Sequence, residues 1–366
     1  MAEHACTGPW QWQRPAQAGD TSVILLGDTN IQDRAEPASA FAHVLGTLQD
    51  ADVLFGQLEG PLSPPSQDPD APDIAHKDRW RHSDPRMVEA LVTAGFDAVA
   101  CASNVCFPPT AALNSIATLD EAGIKHCGAG ATIDAARAPA IVQTDSATIG
   151  FLSYTSVFWP VGHAAGPTTP GCATIKVHTG YQPDRRALEM PAAPPIILTV
   201  PDPAELAAME ADVRALRRQA DIVIVSCHWG VSSSVEVVDY QRVVGRAAIE
   251  AGADLVFGHH PHVIQGVECH QGKPVFYSLG NFAFDWPKMA GRNLDGLMVR
   301  LLVRDRQIAD LAVLPVRRDA DNLIAILDPA GDGRAVIDSL AARSAPFGTE
   351  ITVRDRDVAV AGARSA

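Results

Sequence analysis

The amino-acid sequence predicts an α/β protein, and two patterns support this prediction. Short apolar runs such as SVILL at 22–26 and DIVIVSC at 221–227 recur along the chain, and helical patterns lie between them. Unbroken apolar runs of this length indicate strands that are buried on both faces. Strands that alternate with helices are typical of the α/β class.

The other predicted strands repeat the first pattern in chain order. They are ADVLFGQL (51–58), FDAVACAS (96–103), TIGFLSYT (148–155), DLVFG (254–258) and PVFYSL (274–279). The stretch after Arg300, LLVRDRQIADLAVLPVRR, alternates between apolar and polar residues, which predicts antiparallel strands.

Two predicted helices have recognisable ends. In DPRMVEALVTAG at 84–95, Asp84 is a candidate N-cap, Pro85 lies in the first turn and Gly95 ends the helix. The helix YQRVVGRAAIEAG ends at Gly252. We expect its buried face to contain Val243, Val244, Ala247 and Ala251.

Composition narrows the range of functions. The chain has 366 residues and a net charge of -14, without a block rich in lysine or arginine, which argues against a nucleic-acid partner. No apolar run approaches the roughly 20 residues of a membrane helix, and the N-terminus does not resemble a signal peptide. Both observations argue against a membrane partner. The seven scattered cysteines indicate reduced thiols and therefore a cytoplasmic protein.

Polar residues recur where separate predicted strands end. In open α/β sheets the carboxyl ends of the strands form the edge at which ligands bind. Carboxylate, amide and imidazole groups together form a mixed nitrogen and oxygen ligand set, which suits one or two divalent transition-metal ions such as Mn, Zn or Fe. The residues concerned are Asp28, Glu59, Asn104, His228, His260 and His262.

The stretch GHHPH at 258–262 brings three imidazoles together. His260 and His262 are two residues apart, so on an extended segment they would point the same way. Pro261 between them restricts the backbone, because its ring fixes φ. His259 has the opposite parity, and we expect it to pack or to support the ligands from behind.

Several segments resemble the CapA family, the poly-γ-glutamate capsule-biosynthesis type, within the calcineurin-like metallophosphoesterase superfamily. They follow in family order and cover most of residues 20 to 300. The segments are GDTNIQDR (27–34), QLEGPLS (57–63), GFDAVACASNVCF (95–107), GIKHCGAG (123–130), IGFLSYT (149–155), HWG (228–230), GADLVFGHHPHVIQG (252–266) and VFYSLGNFAFD (275–285).

This resemblance implies a four-layer α-β-β-α sandwich with a metal site at one edge of its sheets. It implies that Asp28 and His262 bind one metal and that Glu59 bridges to a second. Asn104, His228 and His260 would bind the second metal. A hydrolytic, metal-dependent enzyme acting on a small-molecule substrate is the function that the family implies.

The same resemblance suggests how the chain is divided. Residues 21–320 would form the metallophosphoesterase-like catalytic domain, after an N-terminal extension at 1–20. The proline-rich segment 181–204 is predicted to be an inserted loop or lid. Residues 321–366 are predicted to pack on the domain as a C-terminal segment.

Two positions depart from the family pattern. Asn30 stands where related phosphatases have a histidine ligand, and its amide is a weaker ligand. Val105 follows Asn104 where the family has a histidine, and loss of that acid would slow phosphoester cleavage by roughly 10²–10⁴-fold. An alternative is therefore a metal-dependent lyase or isomerase acting on a small, possibly aromatic, substrate on the same scaffold. A non-enzymatic capsule-assembly subunit is less favoured, because the chain shows no membrane anchor.

Further polar and aromatic residues near these motifs are candidates for catalysis and for substrate contact. The candidates for proton transfer are His228, His259 and His163. The candidates for substrate contact are Lys77, Arg81, Trp159, Asn281 and Trp286. If several aromatic residues line the cleft, a small apolar or aromatic molecule would fit it better than an anionic polymer.

Overall fold

The computed structural model describes residues 17, 19–68, 70–354 and 357–362. Nearly all of the N-terminal extension predicted at 1–20 lies outside the described residues. No helix in the described part of the chain is long and apolar enough to cross a lipid bilayer.

The strands follow the predicted apolar runs closely. They are β1 (Thr21–Asn30), β2 (Val53–Leu58), β3 (Ala98–Ala100), β4 (Lys125–Cys127), β5 (Ala129–Gly130), β6 (Ala140–Gln143), β7 (Thr148–Thr155), β8 (Gly171–Cys172), β9 (Val177–Gln182), β10 (Ile196–Pro201), β11 (Ile222–His228), β12 (Leu255–His259), β13 (Val267–His270), β14 (Lys273–Phe276), β15 (Asn281–Phe284), β16 (Asp295–Arg304), β17 (Gln307–Arg318), β18 (Ile324–Ile326), β19 (Thr349–Val353) and β20 (Val358–Gly362).

The helices lie between these strands. They are α1 (Leu45–Gln49), α2 (Val88–Ala94), α3 (Pro109–Glu121), α4 (Ile133–Ala136), α5 (Pro203–Arg217), α6 (Asp239–Ala251) and α7 (Arg334–Ser344). Short 3-10 turns occur at Pro37–Phe41, Pro85–Met87, Pro287–Met289 and Ala345–Phe347. The α/β class predicted from the sequence is confirmed.

Two large sheets form the centre of the fold. One has the strand order β19-β20-β17-β16-β1-β2-β3-β4, with β15 paired to β1 and β18 paired to β17. The other has the order β13-β14-β12-β11-β7-β6. The strands β1 to β4 are parallel to one another, as are β7, β11, β12 and β14, whereas β16 and β17 are antiparallel as predicted.

Alternate residues of each central strand face different layers, because side chains alternate across a strand. In β2, Phe55 packs between the two sheets whereas Leu54 packs against α1, α2 and α3. In β11, Ile224 packs between the sheets whereas Val225 packs against α5 and α6. The apolar clusters therefore lie in the order helices, sheet, sheet, helices.

The layer between the sheets changes from apolar to polar side chains toward the carboxyl ends of the strands. Phe55 and Phe151 stack across it with ring centroids 4.1 Å apart, and Phe257 meets Phe55 edge-on at 5.9 Å. Two residues further along their strands, the buried side chains are polar: Gln57, Ser153, Ser226 and His259. Another two residues on, β2 is followed by Glu59 and β11 ends at His228, so strand parity places both at the same edge.

The helix ends agree with the sequence prediction, with one exception on a helix face. Asp84 accepts a hydrogen bond from the backbone N–H of Arg86, and Gly95 ends α2 with φ at 84°. In α6, Val244 is fully buried, but Val243 is 44% exposed, so its predicted place on the buried face is wrong. Val243 lies one residue before Val244, which turns it about 100° away from the face that packs on the sheet.

The segment 181–204 belongs to a β-hairpin: it contains the end of β9, an irregular connection at 183–195, and β10. Strands β9 and β10 pair antiparallel over 177–201, and α5 begins at Pro203 with Asp202 as its N-cap. The hairpin contacts α6, where the Tyr240 backbone N–H donates to Thr199 Oγ1. At the C-terminal end, β18 and β20 both pair with β17 and extend the larger sheet.

Candidate metal centre

The six candidate ligands meet at the carboxyl edge of the two sheets. Five of them are buried, and Asn104 is half-buried. The larger sheet contributes Asp28, Glu59 and Asn104, from β1 and from the ends of β2 and β3. The smaller sheet contributes His228 at the end of β11 and His260 and His262 just after β12. The site is therefore assembled from both sheets.

A β-bulge turns Asp28 toward this edge. The pairing of β1 with β2 shifts register between Leu26 and Asp28, which leaves Gly27 as the extra residue. Because one extra residue reverses the strand parity, Asp28 faces the inter-sheet side although Leu26 faces the helices. A Cβ at Gly27 would lie 2.2 Å from the backbone oxygen of Gly280, so only glycine fits there.

Two groups of donor atoms share the Glu59 carboxylate. One group consists of Glu59, His228 and His260, and the other of Asp28, Glu59 and His262. Within each group one donor atom per residue lies within 4.8 Å of the others. His228 Nε2 is also 3.0 Å from Asn104 Oδ1, a spacing compatible with two donors on one ion whose bonds are about 2.0–2.2 Å. A carboxylate common to two donor groups is suited to bridging two ions.

The buried carboxylate of Glu59 lacks hydrogen bonds within the described part of the chain. Neither carboxylate oxygen has a hydrogen-bond partner among the described residues, and the side chain is fully buried. Burial raises the pKa of Glu59 from 4.5 to about 8, against the favourable charge of His262. A buried carboxylate without partners is costly, and a bound cation would stabilise its charged form.

The imidazoles of the first donor group are also suited to metal binding. Burial, and after it the charge of the neighbouring His262, lowers the pKa of His260 to about 3. Burial likewise holds the pKa of His228 well below its ordinary value. Both rings are therefore neutral near pH 7, which is the form that binds a metal. The donor set fits a divalent transition metal.

The two ligand histidines after β12 converge by a different route from the one that the sequence suggested. Strand β12 ends at His259, and His260 and His262 have positive φ angles of 88° and 57°. The prediction that an extended segment points both rings the same way is therefore wrong. Left-handed backbone at non-glycine residues is strained and concentrates at functional sites. Here Asp28 Oδ2 accepts a hydrogen bond from the His260 backbone N–H at 3.1 Å, which fixes the turn against the opposite sheet.

His259 lies against the candidate ligand Asp28, and Asn281 orients the candidate ligand His262. His259 is fully buried, with Nδ1 3.4 Å from Asp28 Oδ1 and its ring edge-on to Phe257. Asn281 Oδ1 accepts a hydrogen bond from His262 Nδ1 at 2.9 Å, which leaves His262 Nε2 facing Glu59 at 3.6 Å. Asn281 was predicted to contact substrate, but it is completely buried and orients an imidazole instead.

His163 does not have a nitrogen free for acid–base catalysis. Its Nδ1 accepts a hydrogen bond from the Trp159 backbone N–H at 3.1 Å, and its Nε2 donates to the backbone oxygen of Ser103 at 3.0 Å. The ring is buried and joins the loop after β7 to the residue before Asn104. His163 therefore positions neighbouring backbone, and the catalytic role predicted for it is not retained.

An apolar wall stands beside the donor groups. We call the cluster of Ile74, Trp80 and Val105, with the flanking Phe107, Trp159 and Trp286, the aromatic wall. Trp159 Nε1 donates to the backbone oxygen of Asn104 at 3.1 Å, which ties the wall to a candidate ligand. Val105 is fully buried in this wall, so its side chain packs and does not reach the rim.

Trp80 was missed from the sequence, although it follows the predicted Lys77 by three residues. It is fully buried and meets Trp286 edge-on with ring centroids 5.2 Å apart. Its Nε1 donates to His82 Nδ1 at 3.3 Å. The short spacing of lysine, arginine and tryptophan in KDRWR was a usable signal for a side chain that stacks on a neighbouring cation.

The two basic candidates of this segment have different roles. Lys77 Nζ lies over the rings of Trp80 and Trp286, at 4.7 Å and 5.0 Å from their centroids. The Arg81 guanidinium instead donates to the backbone oxygens of residues 66, 68 and 71 and pairs with Asp73. Arg81 therefore holds its own loop together, and its predicted role in substrate contact is not retained.

Asn30 holds the backbone of Glu59 through its amide nitrogen, while its buried Oδ1 has no hydrogen-bond partner among the described residues. Its Nδ2 donates to the backbone oxygen of Glu59 at 2.7 Å, which fixes the residue that both groups share. The amide thus supports the backbone of Glu59 in the position where the sequence analysis expected a weak ligand.

A cavity of about 730 Å³ lies at the opposite edge of the sheets, near the starts of β11, β12 and β14. Its charged residues are paired within the protein, Arg217 with Asp254 and Arg354 with Asp310. The candidate ligands do not line it, and we assign it no role in the chemistry.

Comparison with known proteins places these features in a family. Residues 16–286 match the family described as "Bacterial capsule synthesis protein PGA_cap". The chain is 27% identical over 283 residues to "PGA biosynthesis protein CapA" of Bacillus subtilis (strain 168), and the aligned region covers 76% of this chain and 64% of that protein. It is 27% identical over 280 residues to "Capsule biosynthesis protein CapA" of Bacillus anthracis, covering 75% and 60%.

A mycobacterial protein and a solved structure are also similar. A "Probable polyglutamine synthesis accessory protein" of Mycobacterium tuberculosis (strain CDC 1551 / Oshkosh) is 29% identical over 213 residues, covering 56% of this chain and 50% of that one. A crystal structure of a novel phosphatase from Mycoplasma pneumoniae has a TM-score of 0.48 at 12% identity and covers 81% of this chain and 94% of its own. The chain spans about three fifths of the length of the two Bacillus relatives.

Proposed function

The chain belongs to the family of bacterial capsule synthesis proteins, and from this membership and the geometry of its donor groups we propose that it is a metal-dependent hydrolase. The observation that carries the proposal is Glu59, whose two buried oxygens have no hydrogen-bond partner among the described residues and which both donor groups share. A solvent-excluded carboxylate in that position is stabilised by a divalent cation.

The proposed ligands divide between two ions. Asp28 and His262 would hold the first ion, and Glu59 would bridge the two ions. The second ion would be held by Asn104, His228 and His260. Mn, Zn or Fe suits this set of nitrogen and oxygen donors. A divalent ion there would polarise an ester or carbonyl oxygen and lower the pKa of water.

The surrounding residues would orient the ligands and exclude water. Asn281 fixes the ring of His262, His259 supports Asp28, and the hydrogen bond of Trp159 fixes the backbone of Asn104. The aromatic wall would shield one side of the site, which favours a small-molecule substrate over a bulky polymer. The cysteine pattern predicts that the protein acts in the cytosol.

We predict that one ion is held more weakly than the other. The first position has the donors Asp28, Glu59 and His262, and Asn30 could add only an amide oxygen in place of an imidazole, since its Nδ2 is bound to the backbone of Glu59. The second position has Asn104 in addition to Glu59 and two imidazoles. Dialysis against graded chelator, followed by elemental analysis, should show a plateau near about one ion per chain. Release of both ions in a single step would contradict this.

A lyase or isomerase is the second candidate, and a specific observation favours it. Val105 is buried in the aromatic wall, and both nitrogens of His163 are engaged by backbone groups. Neither residue supplies a proton to a leaving group. The rate of a reaction that needs no protonation of an alkyl leaving group would be lowered least by the lack of such an acid, which favours a lyase or isomerase.

A matched pair of phosphodiesters tests the hydrolase proposal. The metal-loaded protein should hydrolyse an ester with a p-nitrophenyl leaving group, and it should turn over the matched alkyl ester roughly 10²–10⁴-fold more slowly. Hydrolysis in ¹⁸O-labelled water should place the label in the product. Glu59→Gln should abolish the metal-dependent turnover. Absence of metal-dependent hydrolysis of both esters would contradict the hydrolase proposal and leave the lyase or isomerase.

A further inference from the structure

Lys77 brings a cation to the edge of the aromatic wall. Its ammonium group lies over two indole rings, Trp80 and Trp286, at 4.7 Å and 5.0 Å from the centroids. Indole rings attract a cation through their negative faces. Because Trp80 is fully buried and its Nε1 is bonded to His82, the ring that supports Lys77 is itself held in place.

The donors of the Lys77 ammonium group are not used by the protein. Among the described residues, no carboxylate oxygen lies within 4.0 Å of Lys77 Nζ, and no hydrogen bond joins it to an acceptor. The nearby Lys288 is different, because it pairs with Asp78 at 2.8 Å on the surface and lies 5.7 Å from the Trp286 ring. A half-buried ammonium group with unused N–H donors favours an anion as its partner.

Lys77 is also close enough to act on the donor groups. Burial lowers the pKa of Lys77, and the Glu59 carboxylate raises it. Burial is the largest influence on both ligands: it raises the pKa of Glu59, which Lys77 opposes, and it lowers the pKa of His260, to which Lys77 adds. Lys77 is therefore near enough to the proposed metal centre for its charge to act on two of the candidate ligands.

The rest of the wall is apolar and rigid. Trp159 and Trp286 are half-buried, and each fixes its indole N–H on a backbone oxygen, of Asn104 and Arg79 respectively. Their rings therefore present flat apolar surfaces whose orientation is already set, which reduces the entropy lost when a ligand packs on them. A single cation within an apolar surface matches a ligand with one anionic end.

We propose that the aromatic wall and Lys77 together bind a small molecule that carries a phosphate or carboxylate group on an apolar or aromatic body. This inference rests on the proposed function, because the anionic group would lie between Lys77 and the proposed ions. It makes Lys77 a specificity-determining residue, with the indoles selecting the body of the ligand.

Binding of phenylphosphonate to metal-loaded protein tests this inference without any turnover. We expect tryptophan fluorescence to change on binding, because the ammonium group and the ligand both contact indoles. Lys77→Met keeps most of the aliphatic stem but removes the charge, and it should raise the Kd by about 10- to 100-fold. Lys77→Arg should restore much of the affinity. Lys288→Met is the matched control and should leave the Kd unchanged.

Three further ligands separate the contributions of charge and apolar body. Phenylacetate distinguishes a carboxylate from a phosphate requirement, methylphosphonate lacks the aromatic body, and benzyl alcohol lacks the charge. The affinity for benzyl alcohol should not respond to Lys77→Met. Equal loss of affinity for phenylphosphonate in Lys77→Met and Lys288→Met, or no loss in either, would overturn the inference.

Failure of this inference and failure of the proposed function give different results. Elemental analysis of the wild-type protein and both lysine variants reports whether ions are bound before any ligand is added. Protein that holds ions yet binds phenylphosphonate independently of Lys77 contradicts the inference alone. Protein that holds no ions contradicts the proposed function.

Discussion

His228→Ala and His260→Ala should each remove bound metal from the purified protein. Both imidazoles belong to the donor group that also contains Glu59, and both are buried. Removing one leaves three proposed ligands at that position, counting Asn104. Loss of a direct ligand should weaken binding more than the roughly 10- to 100-fold caused by changing a residue that only supports a ligand. Elemental analysis after gel filtration measures the result.

A surface histidine provides the matched control for this experiment. His270 pairs with Glu250 at 2.8 Å, and it lies opposite Lys273 at the start of β14, on the sheet edge away from the candidate ligands, so His270→Ala should keep the full metal content. Circular dichroism of all three variants would show whether the fold persists. If all three hold as much metal as the wild type, the proposed assignment of His228 and His260 is wrong.

Phe55→Ala should destabilise the fold by about 3–5 kcal/mol. Phe55 is fully buried between the two sheets, where it stacks on Phe151 with ring centroids 4.1 Å apart and ring planes inclined by 7°. Its loss would open a cavity in the layer on which the candidate metal centre rests, because closely packed sheets relax only in part. The free energy of unfolding in urea measures the effect.

An exposed aromatic residue is the control for the loss of Phe55. Tyr181 lies in the β9–β10 hairpin and is 69% exposed, so Tyr181→Ala should change the free energy of unfolding by less than about 0.5 kcal/mol. Phe55→Leu should lie between the two, because it leaves a smaller cavity. Equal stability of Phe55→Ala and Tyr181→Ala would show that the inter-sheet layer does not support the fold as described.

Much of the candidate metal centre could be predicted from the sequence because its signals are local. An apolar run followed by a polar residue predicts both a strand and the edge at which that residue lies, as with His228 after IVIVSC. Two helix-end signals are equally local, since Asp84 caps the 3-10 turn that leads into α2 and Gly95 ends α2, and each depends on a few neighbouring residues. These patterns determined the fold class and the set of candidate ligands.

Roles that depend on distant partners could not be predicted in the same way. His163 and Asn281 are polar residues near the sequence motifs, but each is bound by a group far along the chain, 60 residues away for His163 and 19 for Asn281. Only the folded chain brings those partners together, and with all their hydrogen bonds satisfied the two side chains orient other residues. Arg81 was overestimated for a related reason, since its acceptors are backbone oxygens that no sequence pattern marks.

The sequence by itself determined which residues lie at the carboxyl edge, and the tertiary structure decided which way they point. Strand parity would turn Asp28 toward the helices, but the bulge at Gly27 reverses it. Likewise, His260 and His262 converge through left-handed backbone angles, not through an extended segment. Both features depend on close contact between distant segments, of Gly27 with Gly280 and of Asp28 with the His260 N–H, and such long-range packing leaves no periodic signal in the chain.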